Sequence, residues 1–364
     1  MAVNRTDPRT RRLAVLGGIA LVSLLLVVLV VWQQAREAAN RPAATEFLPG
    51  FASEVRNVAH LHIASKAGAF DVVFTPEKGW VVPQRDDYPA NFDLVQRTRV
   101  GLAALQTIEP RTARKDWLHF LGLDSPPLGD GVLITASDDK GKVLARLITG
   151  KSEDIGDASG ASGLFVRRPG ENQSWLARAV FEPRPALTDW LDKRVLDVDR
   201  ARIQAVDVDP AGSPSYFVSR AKSSDADFTL TPLPAGKTPS DPTIPDGVAS
   251  AITDFGFDDV RPAREFDLSN PATHARVTTR TFDGLRVTVL VVKAGADYWA
   301  TVSAEPINPA DAVTGKEAAT INARAAGWAY KLPAFKGQLF MTTLADLLKP
   351  PPAPPQGMPA MGSP

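Results

Sequence analysis

No charged residue interrupts the stretch from Leu13 to Trp32, LAVLGGIALVSLLLVVLVVW. As a helix, about 20 residues span roughly 30 Å, the thickness of a bilayer's hydrocarbon layer. A cleavable secretory signal has a shorter apolar region, about 7–15 residues, ending at a small-residue cleavage site. Here Gln33-Gln34-Ala35-Arg36 follows instead, so the pattern predicts a retained single-pass anchor. Arg5, Arg9, Arg11 and Arg12 precede the run, whereas Arg36 and Arg41 follow it with Glu37 between them. This basic excess assigns residues 1–12 to the cytoplasm. The expected location is the inner (cytoplasmic) membrane, with the soluble region periplasmic.

Beyond a polar linker, residues 33–50, the periodicity changes. Val58–Ala64 alternates, and Phe70–Phe74 and Trp80-Val81-Val82 are short apolar runs bounded by turn residues, the signature of strands. Leu94, Thr98, Leu102 and Leu105 then recur at helical spacing behind a cap at Asn91 or Asp93. Strands are predicted at Val132–Ala136, Val143–Thr149, Leu164–Arg168 and Ser174–Ala177, and a short helix at Ala186–Val195. A similar order recurs: strands at Ile203–Val208, Ser215–Arg220 and Phe228–Thr231, a helix at Val248–Phe255, then strands at His274–Thr279, Leu285–Lys293 and Tyr298–Ala304. Arg111-Thr-Ala-Arg114 and Arg261-Pro-Ala-Arg264 mark both halves, as do the hairpin glycines Gly141 and Gly284, at offsets of about 143 to 150 residues. The fold class read from this is α+β: an N-terminal transmembrane helix followed by two duplicated modules, each a mainly antiparallel sheet with a packed helix. Their expected limits are residues 51–198 and 199–349. Within the second, Ala310–Ala325 reads as a helix, Gly327–Leu332 as a strand and Leu344–Leu348 as a short helix. The proline-rich tail, residues 350–364, has no periodicity and reads as disordered.

Composition narrows the chemistry. The 364 residues contain 41 Lys+Arg against 41 Asp+Glu, so no overall field favours nucleic acid. With no cysteine, disulfides, thiolate catalysis, cysteine metal sites and N-terminal lipidation at cysteine are all excluded. Neither a P-loop nor a G-x-G-x-x-G following a strand occurs, and the Gly-rich stretch Gly156–Gly163 reads as a hairpin loop. The pairs Asp86-Asp87, Asp138-Asp139 and Asp258-Asp259 fall in expected turns, where a short carboxylate bonds nearby backbone.

Two constellations remain. His60 and His62 lie two apart on an expected strand, so both point to one face. Such a pair can supply two metal ligands, or serve as structural or solvent-facing histidines, and no spacing nominates a third ligand. Arg111, Arg114, Arg261 and Arg264 can grip an anion or a partner through planar guanidiniums, or form salt bridges between each helix and the following strand. No catalytic residue and no cofactor site is nominated.

Gly79-Trp80-Val81-Val82-Pro83 with Tyr88-Pro89-Ala90, then Arg111, then Leu144–Gly150, Trp175-Leu176, Trp190-Leu191 and Gly327-Trp328-Ala329-Tyr330, resembles a family of membrane-anchored envelope proteins, domain of unknown function 4340. The resemblance implies a single-anchor protein associated with gliding-motility-type ABC transporter components. It implies no catalytic residues. The expectation is therefore a non-enzymatic accessory or scaffold protein of an envelope transport or assembly complex, held by Leu13–Trp32 beside a membrane-complex partner. The alternatives are a ligand- or wall-binding module and an unrecognised hydrolase.

Overall fold

The computed structural model describes residues 45–268 and 273–348. The expected anchor, residues 1–12, most of the linker and the tail lie outside these. Among the described residues no helix is long and apolar enough to cross a membrane.

Two antiparallel sheets carry the fold. The first has ten strands in the order β1 (Thr45–Glu46), β6 (Gln106–Pro110), β10 (Ser174–Ala179), β9 (Ser162–Arg167), β8 (Val143–Glu153), β7 (Val132–Ser137), β2 (His60–Ser65), β3 (Gly68–Thr75), β4 (Gly79–Val82) and β5 (Tyr88–Pro89). The second has eight: β13 (Thr229–Thr231), β12 (Tyr216–Ser219), β11 (Ile203–Asp209), β15 (His274–Thr281), β16 (Leu285–Ala294), β17 (Asp297–Pro306), β18 (Trp328–Leu332) and β14 (Asp259–Pro262). Alternation selects the buried face. In β16, Leu285, Val287, Val289 and Val291 are fully buried, while Arg286, Thr288 and Leu290 turn outward, the period-two pattern of a sheet covered on one side.

The strand orders correspond. Eight neighbours of the first sheet, β6-β10-β9-β8-β7-β2-β3-β4, take the places of β14-β18-β17-β16-β15-β11-β12-β13 in the second. Register refines the correspondence. Pro110 lies opposite Trp175, and Pro262 lies opposite Trp328. Just beyond, Arg111 N donates to Ser174 O at 2.9 Å and Ala263 N to Gly327 O at 2.8 Å. Arg111 therefore matches Ala263 in place, two residues out of step with the R-x-A-R pairing.

Helices pack over the inner faces. Between β5 and β6 lies helix Phe92–Ala103, started by Asn91, whose side chain accepts from Leu94 N at 3.1 Å. Val95, Thr98 and Leu102 form its buried stripe. Its counterpart runs over Ile244–Ser250, upstream of the expected Val248–Phe255. Pro245 near its start explains the shift, because a first-turn proline gives up an N–H that has no partner there. A longer helix, Ala312–Ala325, is inserted between β17 and β18, where the first sheet has only a turn. The expected helix Ala186–Val195 is instead a single 3-10 turn, Leu187–Trp190. Asn91 N donates to Trp190 O at 2.7 Å and Leu191 bridges Ala90, so strand-like contacts hold this segment extended. Residues 45–50, expected as linker, join the fold through β1 and the fully buried Phe47.

Most buried residues form one core that reaches under both sheets, and a satellite core lies on the first sheet's other face. The satellite is closed by a 3-10 helix, Lys115–Leu121, which packs Leu118 beside Leu123, Ile148, Phe165 and Leu176. Gly150 of β8 permits that approach: a Cβ there would lie 2.2 Å from Leu121 O and 3.0 Å from Gly122 O. Backbone cannot yield as a side chain can. Gly150→Ala is expected to cost about 1–3 kcal/mol by overpacking, read as a lower melting midpoint of the full chain. An unchanged midpoint would mean that the 3-10 helix does not press on β8.

The sheets meet by unlike edges. Arg85, after β4, donates from Nε and Nη2 to both carboxylate oxygens of Asp259 on β14, at 2.6 and 2.9 Å. Asp86 accepts from Arg264 Nη2 at 2.6 Å. The buried Tyr88 ring meets Trp328, Phe257 and Tyr330 edge-on, with centroids 5.0, 6.1 and 6.3 Å away. Its hydroxyl donates to Asp192 O at 2.9 Å.

Candidate functional site

The histidine pair lies on β2, opposite β3, with both rings on one face as the strand spacing requires. His60 Nε2 and His62 Nδ1 stand 2.9 and 2.8 Å from the same oxygen of Asp71. Gln84 Nε2 donates to the other oxygen at 2.9 Å. Burial alone would raise the Asp71 pKa, but hydrogen bonds from His62, His60 and Gln84 outweigh it and hold the carboxyl below its ordinary value. Among the described residues, no group of three or more side chains is arranged to hold a metal ion.

The four arginines are scattered, and each has a carboxylate neighbour. Arg111 Nη2 donates to Glu153 at 2.6 Å and lies 3.1 Å from Glu109, with its guanidinium 5.5 Å from the Phe165 ring centre. Arg114 pairs with Asp116 at 2.6 Å and covers Trp117. Arg261 lies 3.8 Å from Glu265 and 5.2 Å from the Trp299 ring centre. Arg264 joins Asp86 across the junction of the sheets. The structure does not bring the first pair together with the second.

One of them, Arg111, borders a groove of about 780 Å³ on the satellite-core face of the first sheet. Its floor is Ile108, Leu176 and Ile155, apolar positions from β6, β10 and the loop after β8. Gly163 keeps this floor low, since a Cβ there would lie 2.6 Å from Ile155 and 2.9 Å from Leu176. Arg178 and Asp157 close one wall as an ion pair, with Ser159 Oγ accepting from Arg178 Nη2 at 2.6 Å. Arg178, then the Ser159 amide, hold the Asp157 carboxyl well below its usual range.

Four carboxylates (Glu109, Glu153, Asp154 and Asp157) line the groove against two guanidiniums, those of Arg111 and Arg178. The surplus is negative, and both arginines are already paired. Such a wall disfavours a free anion and suits a positively charged segment. β6 forms the groove's outer side, and β1 pairs with only Gln106 and Thr107 of it. Among the described residues no strand pairs with the outer edge of β6 from Ile108 to Pro110.

Apart from Arg111, sequence reasoning missed this groove. Arg178, Asp157, Glu153 and the three floor residues share no spacing. Only the Gly-rich run Gly156–Gly163 stood out, and its Gly163 lets Ile155 and Leu176 pack closely. The architecture defines an α+β protein built on two antiparallel sheets with few helices. The chain belongs to the family described as domain of unknown function DUF4340, whose model matches residues 80–282, more than half of its length. No curated protein and no solved structure matches the chain.

Proposed function

We propose that this chain is a single-pass, extracytoplasmic accessory protein of an envelope transport or assembly complex. In this reading Leu13–Trp32 is its anchor, and the groove beside β6 takes an extended, positively charged segment of a membrane partner. The observation that carries the reading is the combination, in one place, of an apolar floor, a net acidic wall and a strand edge that no other described strand pairs beyond Thr107. The histidine pair and the four arginines turn toward carboxylates of this same chain, which favours a structural role for them over substrate chemistry.

We further propose that the two sheets descend from one duplicated module. The shared order of eight strands and the matching Pro110–Trp175 and Pro262–Trp328 pairs support this better than the R-x-A-R landmark does.

A photo-crosslinking residue placed at Glu109 in the full chain, in its native membrane, tests the docking reading. The expected result is one discrete adduct to an integral membrane protein, absent when the probe is placed at Lys222, an exposed site on the second sheet. Equal, diffuse labelling from both positions, or none, would overturn it.

A further inference from the structure

We propose that Trp117 and Phe120 form a ridge that rests in the headgroup layer of the membrane holding the chain. This rests on the anchor reading above. Trp117 is 49 % and Phe120 62 % exposed, and Leu128, at the tip of the next loop, is 92 % exposed. Their exposure is not a failure of packing. The segment Lys115–Leu121 is a 3-10 helix, in which residues three apart eclipse one another. Leu118 and Leu121 therefore share one side and face the satellite core, while Trp117 and Phe120 share another and face solvent.

The setting of the ridge suits a headgroup layer more than a dry protein interface. Trp is favoured at membrane–water interfaces, where basic side chains reach phosphates while their stems stay in apolar surroundings. Arg114 stands 4.7 Å over the Trp117 ring, and Lys115 and Lys151 are exposed nearby, the latter against Gly122. Asp116, paired to Arg114, only partly offsets them.

The chain's own geometry supplies the direction. β1 runs antiparallel to β6, with Thr45 opposite Thr107 and Glu46 opposite Gln106. Traced toward the N-terminus, β1 heads for the Pro110 end of β6, the end from which the chain passes through Arg111–Arg114 into the ridge. Only residues 33–44 separate Trp32 from Thr45. About a dozen residues reach at most roughly 40 Å when fully extended. The tether therefore keeps this edge of the first sheet, rather than the second sheet, close to the bilayer.

The absence of native cysteine makes the test direct. Phe120→Cys and, as a control, Val313→Cys on the second sheet's long helix, 78 % exposed, are each labelled with an environment-sensitive fluorophore. The full chain is reconstituted into phosphatidylethanolamine–phosphatidylglycerol vesicles, and each label is challenged with a lipid-borne quencher and with aqueous iodide. Expected is strong quenching by the lipid probe and several-fold weaker quenching by iodide at position 120, with the reverse at 313. Trp117→Ser in the Phe120→Cys chain should shift that label back toward water. Equal lipid quenching at the two sites overturns the proposal. So does a label at 120 shielded from iodide but untouched by the lipid quencher, which would mark a contact with a second copy. A chain that alkaline washing strips from the vesicles overturns the anchor as well; retention with an aqueous label overturns the ridge alone.

Discussion

Tyr88→Ala is expected to separate the two sheets without unfolding either. Tyr88 is 3 % exposed and fills the space between Trp328, Phe257 and Tyr330. Truncating a buried aromatic of this size costs about 3–5 kcal/mol, the lost transfer energy plus the cavity left behind. Besides the apolar core that the two sheets share, polar contacts cross the junction. These are the Arg85–Asp259 and Arg264–Asp86 pairs, and Lys193, whose ammonium donates to Phe257 O at 2.7 Å. Partly exposed pairs of this kind hold weakly once water reaches them. Lys193 and Arg194 lie between the last strand of the first sheet and β11, so limited trypsin digestion reports the opening. Cleavage there should rise at least about tenfold, since each ~1.4 kcal/mol of lost local stability is a factor of ten in the open population. Tyr88→Phe should lose only the bond to Asp192 O, about 0.5–1.5 kcal/mol. Uniform digestion of Tyr88→Ala, with no preferred cut near 193–194, would show that the sheets do not part there.

Arg220→Ala should destabilise the second sheet strongly. Arg220 is 7 % exposed. Its Nε donates to Ile203 O at 2.9 Å, Nη1 to Asp225 O at 2.9 Å, and Nη2 to Arg200 O and Ala201 O at 2.7 and 2.8 Å. The guanidinium lies 4.7 Å from the Phe228 ring centre. One side chain thus satisfies four carbonyls where the chain enters β11 and leaves β12. Without it the carbonyls of Ile203, Ala201 and Asp225 lose this donor and Arg200 O keeps only the Ile203 amide, a cost of roughly 2–4 kcal/mol. The melting midpoint of the full chain should fall by about 5–10 °C, at roughly 2–4 °C per kcal/mol for a domain of this size. Arg220→Lys should recover little, because an ammonium cannot reproduce the planar fork. A midpoint unchanged in Arg220→Ala would mean that water already serves those carbonyls.

Strands and caps were the legible part. The alternation in Val58–Ala64 and Leu285–Lys293 reports which side is buried, and a single-sided sheet needs little more. Asn91 declared a helix start because its side chain replaces a missing backbone partner. What stayed hidden depends on neighbours far along the chain. β14 is four residues long and exists through its pairing with β18. The Ala186–Val195 segment carries apolar helical spacing, yet after one 3-10 turn it is held extended at Leu191 by Ala90 and Asn91, about a hundred residues earlier. The groove is the extreme case: Arg178 meets Asp157 across the β8–β9 loop, and Arg111 meets Glu153 because β6 is laid beside β10 rather than beside a sequence neighbour. The R-x-A-R repeat was the opposite error of scale, a local likeness that the register of the strands does not preserve.

The unlike-edge meeting of the sheets also fixes valence. A two-fold pair would present every surface twice. Here the outer side of β14 is engaged by Arg85 and Asp86 of the first sheet, whereas among the described residues the outer side of the corresponding strand, β6, has only the two residues of β1 beside it. A segment that pairs along β6 therefore finds no twin place along β14 in the same molecule. On the docking reading proposed above, a complex assembled through this edge should contain one partner segment for each copy of the chain.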